Sequence, residues 1–331
     1  MTLQAVLDEI AATSAFGVVA EVRAGDRVWR GAGGVAERGS TRPAPAGARF
    51  RAGSVTKSFV AVVVLQLVGE GRIGLDEPVG AGCRVTVRHL LQHTSGIADY
   101  GESERFRSLY GTTEAILGLR HRSWTAAELR TLVDGQPLLF EPGSSWGYSS
   151  TNYLLLGLLV ERVTGRPYGG EVERRILRPL GLRNTELPGS SPYMRGSHLH
   201  GYLGEEDITV FDHSFAGAAG ELVSSAADLN RFYRALMTGQ LLDAAELAEM
   251  RTGSALGYGL GLATRQLDDG ARLWGHNGGT FGYETFSWTT GDGVRQATVA
   301  VTPRAGGDTG SRMNQFVVAA FREGLSTAGR S

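Results

Sequence analysis

Gly53-Ser54-Val55-Thr56-Lys57-Ser58-Phe59-Val60-Ala61-Val62-Val63-Val64-Leu65-Gln66-Leu67-Val68 joins a short polar start to a long apolar run. The spacing predicts a helix over Ser54–Val68 that is apolar on every side, and such helices are buried. A helix beginning at Ser54 puts Ser54 and Lys57 on one face, a turn apart and within side-chain contact. Ser54 then sits at a helix N-terminus, where free backbone N–H groups stabilise negative charge. Burial under an apolar helix lowers the proton affinity of a lysine. Together these are the conditions for a hydroxyl activated by a neutral amine. A serine cap with a lysine one turn on also arises by chance, so the motif alone leaves a plain capping role open.

Composition narrows that choice. Of the 33 Lys and Arg residues, Lys57 is the one lysine. Arginine serves as well for a surface charge or an ion pair. It cannot release a proton near neutral pH, so a lysine kept against an arginine-rich background points to a proton-transfer role. The 331 residues, 42% hydrophobic, are enough for a large core in one catalytic unit with two lobes. Net charge of -1 gives no sign of nucleic acid or an anionic membrane surface. Cys83 is the single cysteine, so no intramolecular disulfide is expected. Phe59–Val68 is too short to span a bilayer.

Outward from the Ser54 helix, residues 2–12 read as a helix, and Val18–Val22 with Arg27–Gly31 as a hairpin. Residues 75–250 are mainly helical in pattern, with helices at Val87–His93, Thr125–Asp134, Tyr153–Thr164, Gly169–Leu180 and Ala226–Met237. Strand patterns return at Gly257–Ala263, Arg272–Trp274, Tyr283–Thr289 and Val294–Val301, before a last helix at Ser311–Glu323. The expected fold class is therefore α+β. Residues 1–74 and 251–331 supply an antiparallel sheet with flanking helices, residues 75–250 a mainly helical lobe, and a cleft falls between them.

Two more segments carry chemistry. In Phe140-Glu141-Pro142-Gly143-Ser144-Ser145-Trp146-Gly147-Tyr148-Ser149-Ser150-Thr151-Asn152-Tyr153, a hydroxyl-rich loop feeds a helix starting near Asn152. Tyr148 there is either a proton relay or part of an aromatic lid. In Trp274-Gly275-His276-Asn277-Gly278-Gly279, glycines after a strand let backbone N–H groups approach a ligand. One such N–H, paired with that of Ser54, would make an oxyanion hole. His276 is either a site residue or a strand-end histidine.

Together the three segments resemble the serine β-lactamase and penicillin-binding superfamily, with its S-x-x-K signature. Their order and spacing are similar to the class C branch, and most of all to secreted actinobacterial D-alanyl-D-alanine carboxypeptidases. FRAGSVTKSFVAVVVLQLVGEGRIGLD, VTVRHLLQHTSGIADY, YSSTNYLLLGLLVERVTG, AADLNRFYRALMTGQLL, YGLGL and GHNGGTFGY carry the likeness. The resemblance implies a β-lactamase/transpeptidase-like fold and an acyl-enzyme on Ser54. It implies Lys57 and Tyr148 as proton carriers, and the N–H groups of Ser54 and Gly279 as the oxyanion hole. His276, Asn277 and Gly278 would line the site, and Phe215 would wall the acyl pocket. The asparagine of the branch's Tyr-x-Asn element, which binds the substrate amide, is replaced by Ser150. An arginine that holds substrate carboxylate after YGLGL is also missing: Ala263 and Thr264 stand there, and Arg265, next, could substitute only against strand alternation, which turns adjacent side chains to opposite faces.

The expected function is a serine hydrolase or acyltransferase. It moves an acyl group from an ester, thioester or amide to water or another nucleophile, and its partners are small-molecule or peptidic donors and acceptors. A D-alanyl-D-alanine carboxypeptidase or weak β-lactamase is the alternative, and a non-catalytic sensor the reading from another class. No metal or organic cofactor is expected. His89 and His93 lack a ligating partner and read as packing at a helix end. The N-terminus lacks a signal-peptide pattern. A cytoplasmic location is expected as written, or a secreted one if a leader preceded it.

Overall fold

In the computed structural model, the structure describes residues 2–80, 82–253 and 257–322. Six antiparallel strands form the main sheet: β1 (Ala15–Ala24), β2 (Arg27–Gly34), β3 (Ala263–Gln266), β4 (Arg272–Thr280), β5 (Tyr283–Thr290) and β6 (Arg295–Pro303). Their order across the sheet is β2-β1-β6-β5-β4-β3, so strands from the two ends of the chain meet at β1 and β6. The terminal helices α1 (Leu3–Thr13) and α6 (Thr309–Arg322) cover one face. There Val6, Leu7 and Ile10 pack with Val18, Ala20, Val299 and Phe316. Two central helices, α2 (Thr56–Gly69) and α5 (Ala226–Met237), belong to the core on the opposite face with Val19 and Ala300. Burial on both faces explains why β1 is apolar almost throughout rather than alternating.

Helix α2 is enclosed, as its all-round apolar pattern implies. Phe59 to Leu65 are all buried, and Phe59 stacks on Phe232 of α5 at 3.7 Å. Before it, Gly53–Val55 forms a single 3-10 turn, so the regular helix starts at Thr56 and not at Ser54. The middle of the chain is mainly helical, including α3 (Val87–Leu91) and α4 (Ser150–Thr164). Helix α4 begins two residues earlier than the sequence suggests, at Ser150 itself.

Two strand readings need correction. Gly257–Ala263 is not a strand; the strand is Ala263–Gln266. Its glycines instead make a turn, with Gly259 N–H bonded to Leu262 O and Gly261 N–H to Leu91 O. Gly261 has φ 75°, and a Cβ there would lie 2.3 Å from the Ala61 Cβ on α2. The strand read as ending at Trp274 runs on to Thr280, so His276, Asn277, Gly278 and Gly279 lie inside β4. The final helix begins at Thr309, and Glu323 lies outside the described residues. Among the described residues, no helix is long and apolar enough to cross a membrane.

Candidate active site

The turn at residues 53–55 is set by contact with β4. Gly53 has φ 53°, and a Cβ there would lie 2.7 Å from the Gly279 carbonyl oxygen. A Cβ on Gly278 would lie 1.9 Å from Ala52 O and 3.1 Å from Ser54 N. Glycine at both positions is what lets the Ser54 turn lie directly on the strand. Thr56 locks the turn from the other side: its Oγ1 donates to Gly53 O (2.7 Å) and accepts from Leu222 N (3.0 Å). Gly278→Ala should therefore force the turn off the strand. We expect kcat to fall about a hundredfold, the scale of a misplacement of about 1 Å. Steady-state rates together with a melting curve would check this, and unchanged kcat would mean that the contact does not set the site.

Lys57 is fully buried on the first turn of α2. Its Nζ donates to Ser54 Oγ (3.1 Å) and to Ala219 O (2.8 Å). Nζ also lies over the Tyr148 ring at 4.8 Å and the Tyr153 ring at 5.5 Å. Tyr148, 38% exposed, comes from the loop before α4, and its hydroxyl donates to Ser54 Oγ at 2.8 Å. The serine hydroxyl thus has an amine on one side and a phenol on the other.

His276 is buried in β4. Its Nδ1 is 2.5 Å from Asn277 O, and its Nε2 2.9 Å from the Tyr258 hydroxyl. Burial, with the nearby Lys57 charge, lowers its pKa to about 4. The ring is therefore neutral, and with Nδ1–H donating, Nε2 accepts from Tyr258. Asn277 and Gly279 are exposed and Gly278 is buried, as the alternation of a strand requires. Phe215 packs on Phe281 at 5.3 Å and Tyr110 at 5.5 Å. Its carbonyl accepts from Tyr100 Oη at 2.8 Å. The Phe215 segment reaches the site through Ala219, four residues on, which anchors Lys57.

Ser150 opens α4, with its N–H bonded to Asp99 Oδ2 at 3.0 Å. Arg265 does not take over a carboxylate-binding role at the Ser54 face. Its guanidinium stacks 5.5 Å over Trp288, which packs in the core beneath α1 and α6. Strand alternation decides this, since neighbouring residues face opposite ways.

His93 was not among the expected site residues, yet its ring lies 4.3 Å from that of Tyr148. It follows the C-cap Gln92 of α3 and has φ 62°, the one positive φ outside glycine among the described residues. A histidine where glycine or asparagine usually ends a helix was the available signal. His89, by contrast, behaves as a helix-end residue, exchanging hydrogen bonds with Thr86 in a capping box.

An antiparallel sheet with flanking helices, and a buried lysine one turn after a serine, match the Ser-x-x-Lys class of serine acyl-transfer hydrolases. A profile of the beta-lactamase family matches residues 3–319, and the chain belongs to that family. Among solved structures it is similar to the D-stereospecific amidohydrolase from a Streptomyces species. The two are 37% identical with a TM-score of 0.88, over 97% of this chain and 98% of that one. The D-amino acid amidase from Ochrobactrum anthropi SV3, in complex with L-phenylalanine amide, is 26% identical with a TM-score of 0.83, over 96% of each chain. Esterase EstB of Burkholderia gladioli is 37% identical over 190 residues, 53% of this chain, and the match spans about half (48%) of the esterase. Penicillin-binding protein 4* of Bacillus subtilis is 26% identical over 81% of this chain and 64% of its own length.

Proposed function

We propose that this chain hydrolyses amides and esters of D-configured amino acids through an acyl-enzyme on Ser54. The observation that carries the reading is the Ser54 hydroxyl held between Lys57 Nζ at 3.1 Å and Tyr148 Oη at 2.8 Å. Ser54 Oγ attacks the substrate carbonyl carbon while its proton passes to the Lys57–Tyr148 pair. The Ser54 and Gly279 N–H groups take the oxyanion. Tyr148 hands the proton to the departing nitrogen or oxygen, the bond to the leaving group breaks, and the acyl-enzyme remains. Water then attacks that ester, gives its proton to the same pair, and Ser54 leaves protonated. His276, Asn277, Gly278 and Phe215 line the pocket in this reading. D-configuration and the amide class are supported by the Streptomyces amidohydrolase, to which the whole chain is similar.

The test is intact-mass detection of a fluorophosphonate adduct on Ser54, followed by rates on matched D- and L-amino-acid amides and p-nitrophenyl esters. An adduct absent from Ser54, or L-substrates preferred, would overturn the reading.

Ser150 sets the acyl-donor class in this reading. A hydroxyl reaches less far than a carboxamide, so a donor's acylamino group lacks a partner there. Ser150→Asn should raise kcat/KM for a D-Ala-D-Ala peptide or a penicillin about five- to a hundredfold, the value of roughly 1–3 kcal/mol of hydrogen bonding. Simple esters should change far less. Equal shifts on both substrates would show that Ser150 does not select the donor.

A further inference from the structure

Tyr148 projects from a loop and is more than a third exposed, yet its hydroxyl has to stay on Ser54 Oγ. A loop tyrosine has no helix or strand ladder to fix its backbone, so other contacts must hold it. The residue in place to do so is His93, which is fully buried and lies outside the groups assigned above to the reaction. Its carbonyl oxygen accepts from Gly147 N at 2.9 Å, and its Nδ1 accepts from Ser149 N at 3.2 Å. The residues on either side of Tyr148 are thus each held by a backbone N–H to His93, one at its carbonyl and one at its ring. The imidazole ring itself backs the phenol, with centroids 4.3 Å apart and planes inclined by 34°.

The ring is locked in turn. Ser95 Oγ donates to Asn152 Oδ1 at 2.6 Å, which fixes the amide and turns its Nδ2 toward His93 Nδ1 at 3.1 Å. With two N–H donors aimed at it, Nδ1 carries no proton, and the neutral ring keeps its hydrogen on Nε2. Burial and the Lys57 charge act in the same sense, holding the imidazole well below its usual pKa. Position 93 also bears a cost, since the left-handed φ of 62° disfavours any residue with a Cβ, although histidine meets it more often than most. A strained, buried histidine, its Nδ1 fixed by two donors behind an exposed tyrosine, is more than a helix cap requires.

We propose that His93 is a positioning residue for Tyr148, clamping residues 147 and 149 and backing the phenol so that its hydroxyl stays on Ser54 Oγ. This rests on the reading of Tyr148 as the proton carrier. The experiment measures p-nitrophenyl ester hydrolysis by the full chain, in wild-type and Tyr148→Phe backgrounds, with a melting curve for each variant. His93→Gly suits the backbone angle but removes the clamp and the ring. It should lower kcat about 30- to 100-fold with KM within about threefold, as expected for lost alignment and not lost binding. His93→Asn tolerates the left-handed backbone and offers Oδ1 where Nδ1 stood, so it should recover kcat to within about fivefold of wild type.

In the Tyr148→Phe background, His93→Gly should cost under about threefold, because no hydroxyl remains to be placed; a general structural role would cost the same in both backgrounds. The proposal is overturned if His93→Gly leaves kcat within about threefold of wild type, or loses equally in both backgrounds. Should His93→Gly fail to fold, Asn152→Asp replaces it. A carboxylate in place of the amide cannot donate to Nδ1, so Nδ1 takes the proton and stops accepting from Ser149. That variant should lose at least about tenfold in kcat on the wild-type background only, and equal losses on both would overturn the proposal. A fully active Tyr148→Phe would sink the proton-carrier reading itself. An inactive Tyr148→Phe beside an unimpaired His93→Gly would sink only the positioning role.

Discussion

Ser54→Ala is expected to lower kcat/KM about 10⁴-fold or more on esters and amides alike, the scale met when an acyl-enzyme nucleophile is deleted. That corresponds to at least about 5 kcal/mol of transition-state stabilisation, at about 1.4 kcal/mol per tenfold. The loss should be the same for every donor, because no covalent intermediate can form with any of them. The fold should survive. The turn around Ser54 is held by Thr56, through Gly53 O and Leu222 N, and not by the Ser54 hydroxyl. Lys57 also keeps its bond to Ala219 O in the variant's environment. A melting temperature within a few degrees of wild type, about 1 kcal/mol at this size, together with no fluorophosphonate adduct, would meet the expectation. Turnover within about tenfold of wild type would move the nucleophile elsewhere.

The parts of the site legible in the sequence are those whose geometry is local. Ser54 and Lys57 are three residues apart on one helical turn, and the all-round apolar run after them is found enclosed. The hairpin of β1 and β2 was equally plain, since its register runs from Ala24↔Arg27 outward from a short turn. What was misread depends on distant chain. The pattern of β4 stops at Trp274 because glycine is a poor strand former. Yet Gly278 is in the strand, paired with Thr285, where Ala52 and Ser54, more than 200 residues away in sequence, leave no room for a Cβ. The glycines of 257–261 failed in the other direction, their polar backbone being spent on a turn against α2 and on Leu91. His93 looks like any histidine after a helix until Ser149 and Asn152 are brought to its Nδ1. Phe215 has no local mark of its aromatic packing either, much of which comes from Phe106, Tyr110 and Phe281 folded against it.

Lys57→Arg is expected to be nearly as damaging as Lys57→Ala, each losing about 10³-fold in kcat, within the range that a positioned acid–base group contributes. The comparison separates two roles that the geometry allows. Nζ touches both Ser54 Oγ and Ala219 O and lies against two tyrosine rings, so it is placed equally well for charge and for proton transfer. Arginine keeps the positive charge and can donate to both oxygens. It cannot accept the serine proton, because guanidinium stays protonated at any working pH. A lysine that acts only through its charge would therefore be replaced with modest loss. The pocket is fully enclosed, so the larger head group has to be accommodated, and a melting curve must accompany each rate. Small primary amines added to Lys57→Ala supply the readout that crowding cannot imitate. An amine restores a base as well as a charge, whereas added guanidine restores the charge alone. Partial recovery with methylamine or ethylamine, rising with the fraction of free amine, and none with guanidine is the expected result. Equal recovery with both, or an arginine variant keeping more than about a tenth of the wild-type rate, would make Lys57 an electrostatic group and leave Tyr148 as the base that takes the Ser54 proton.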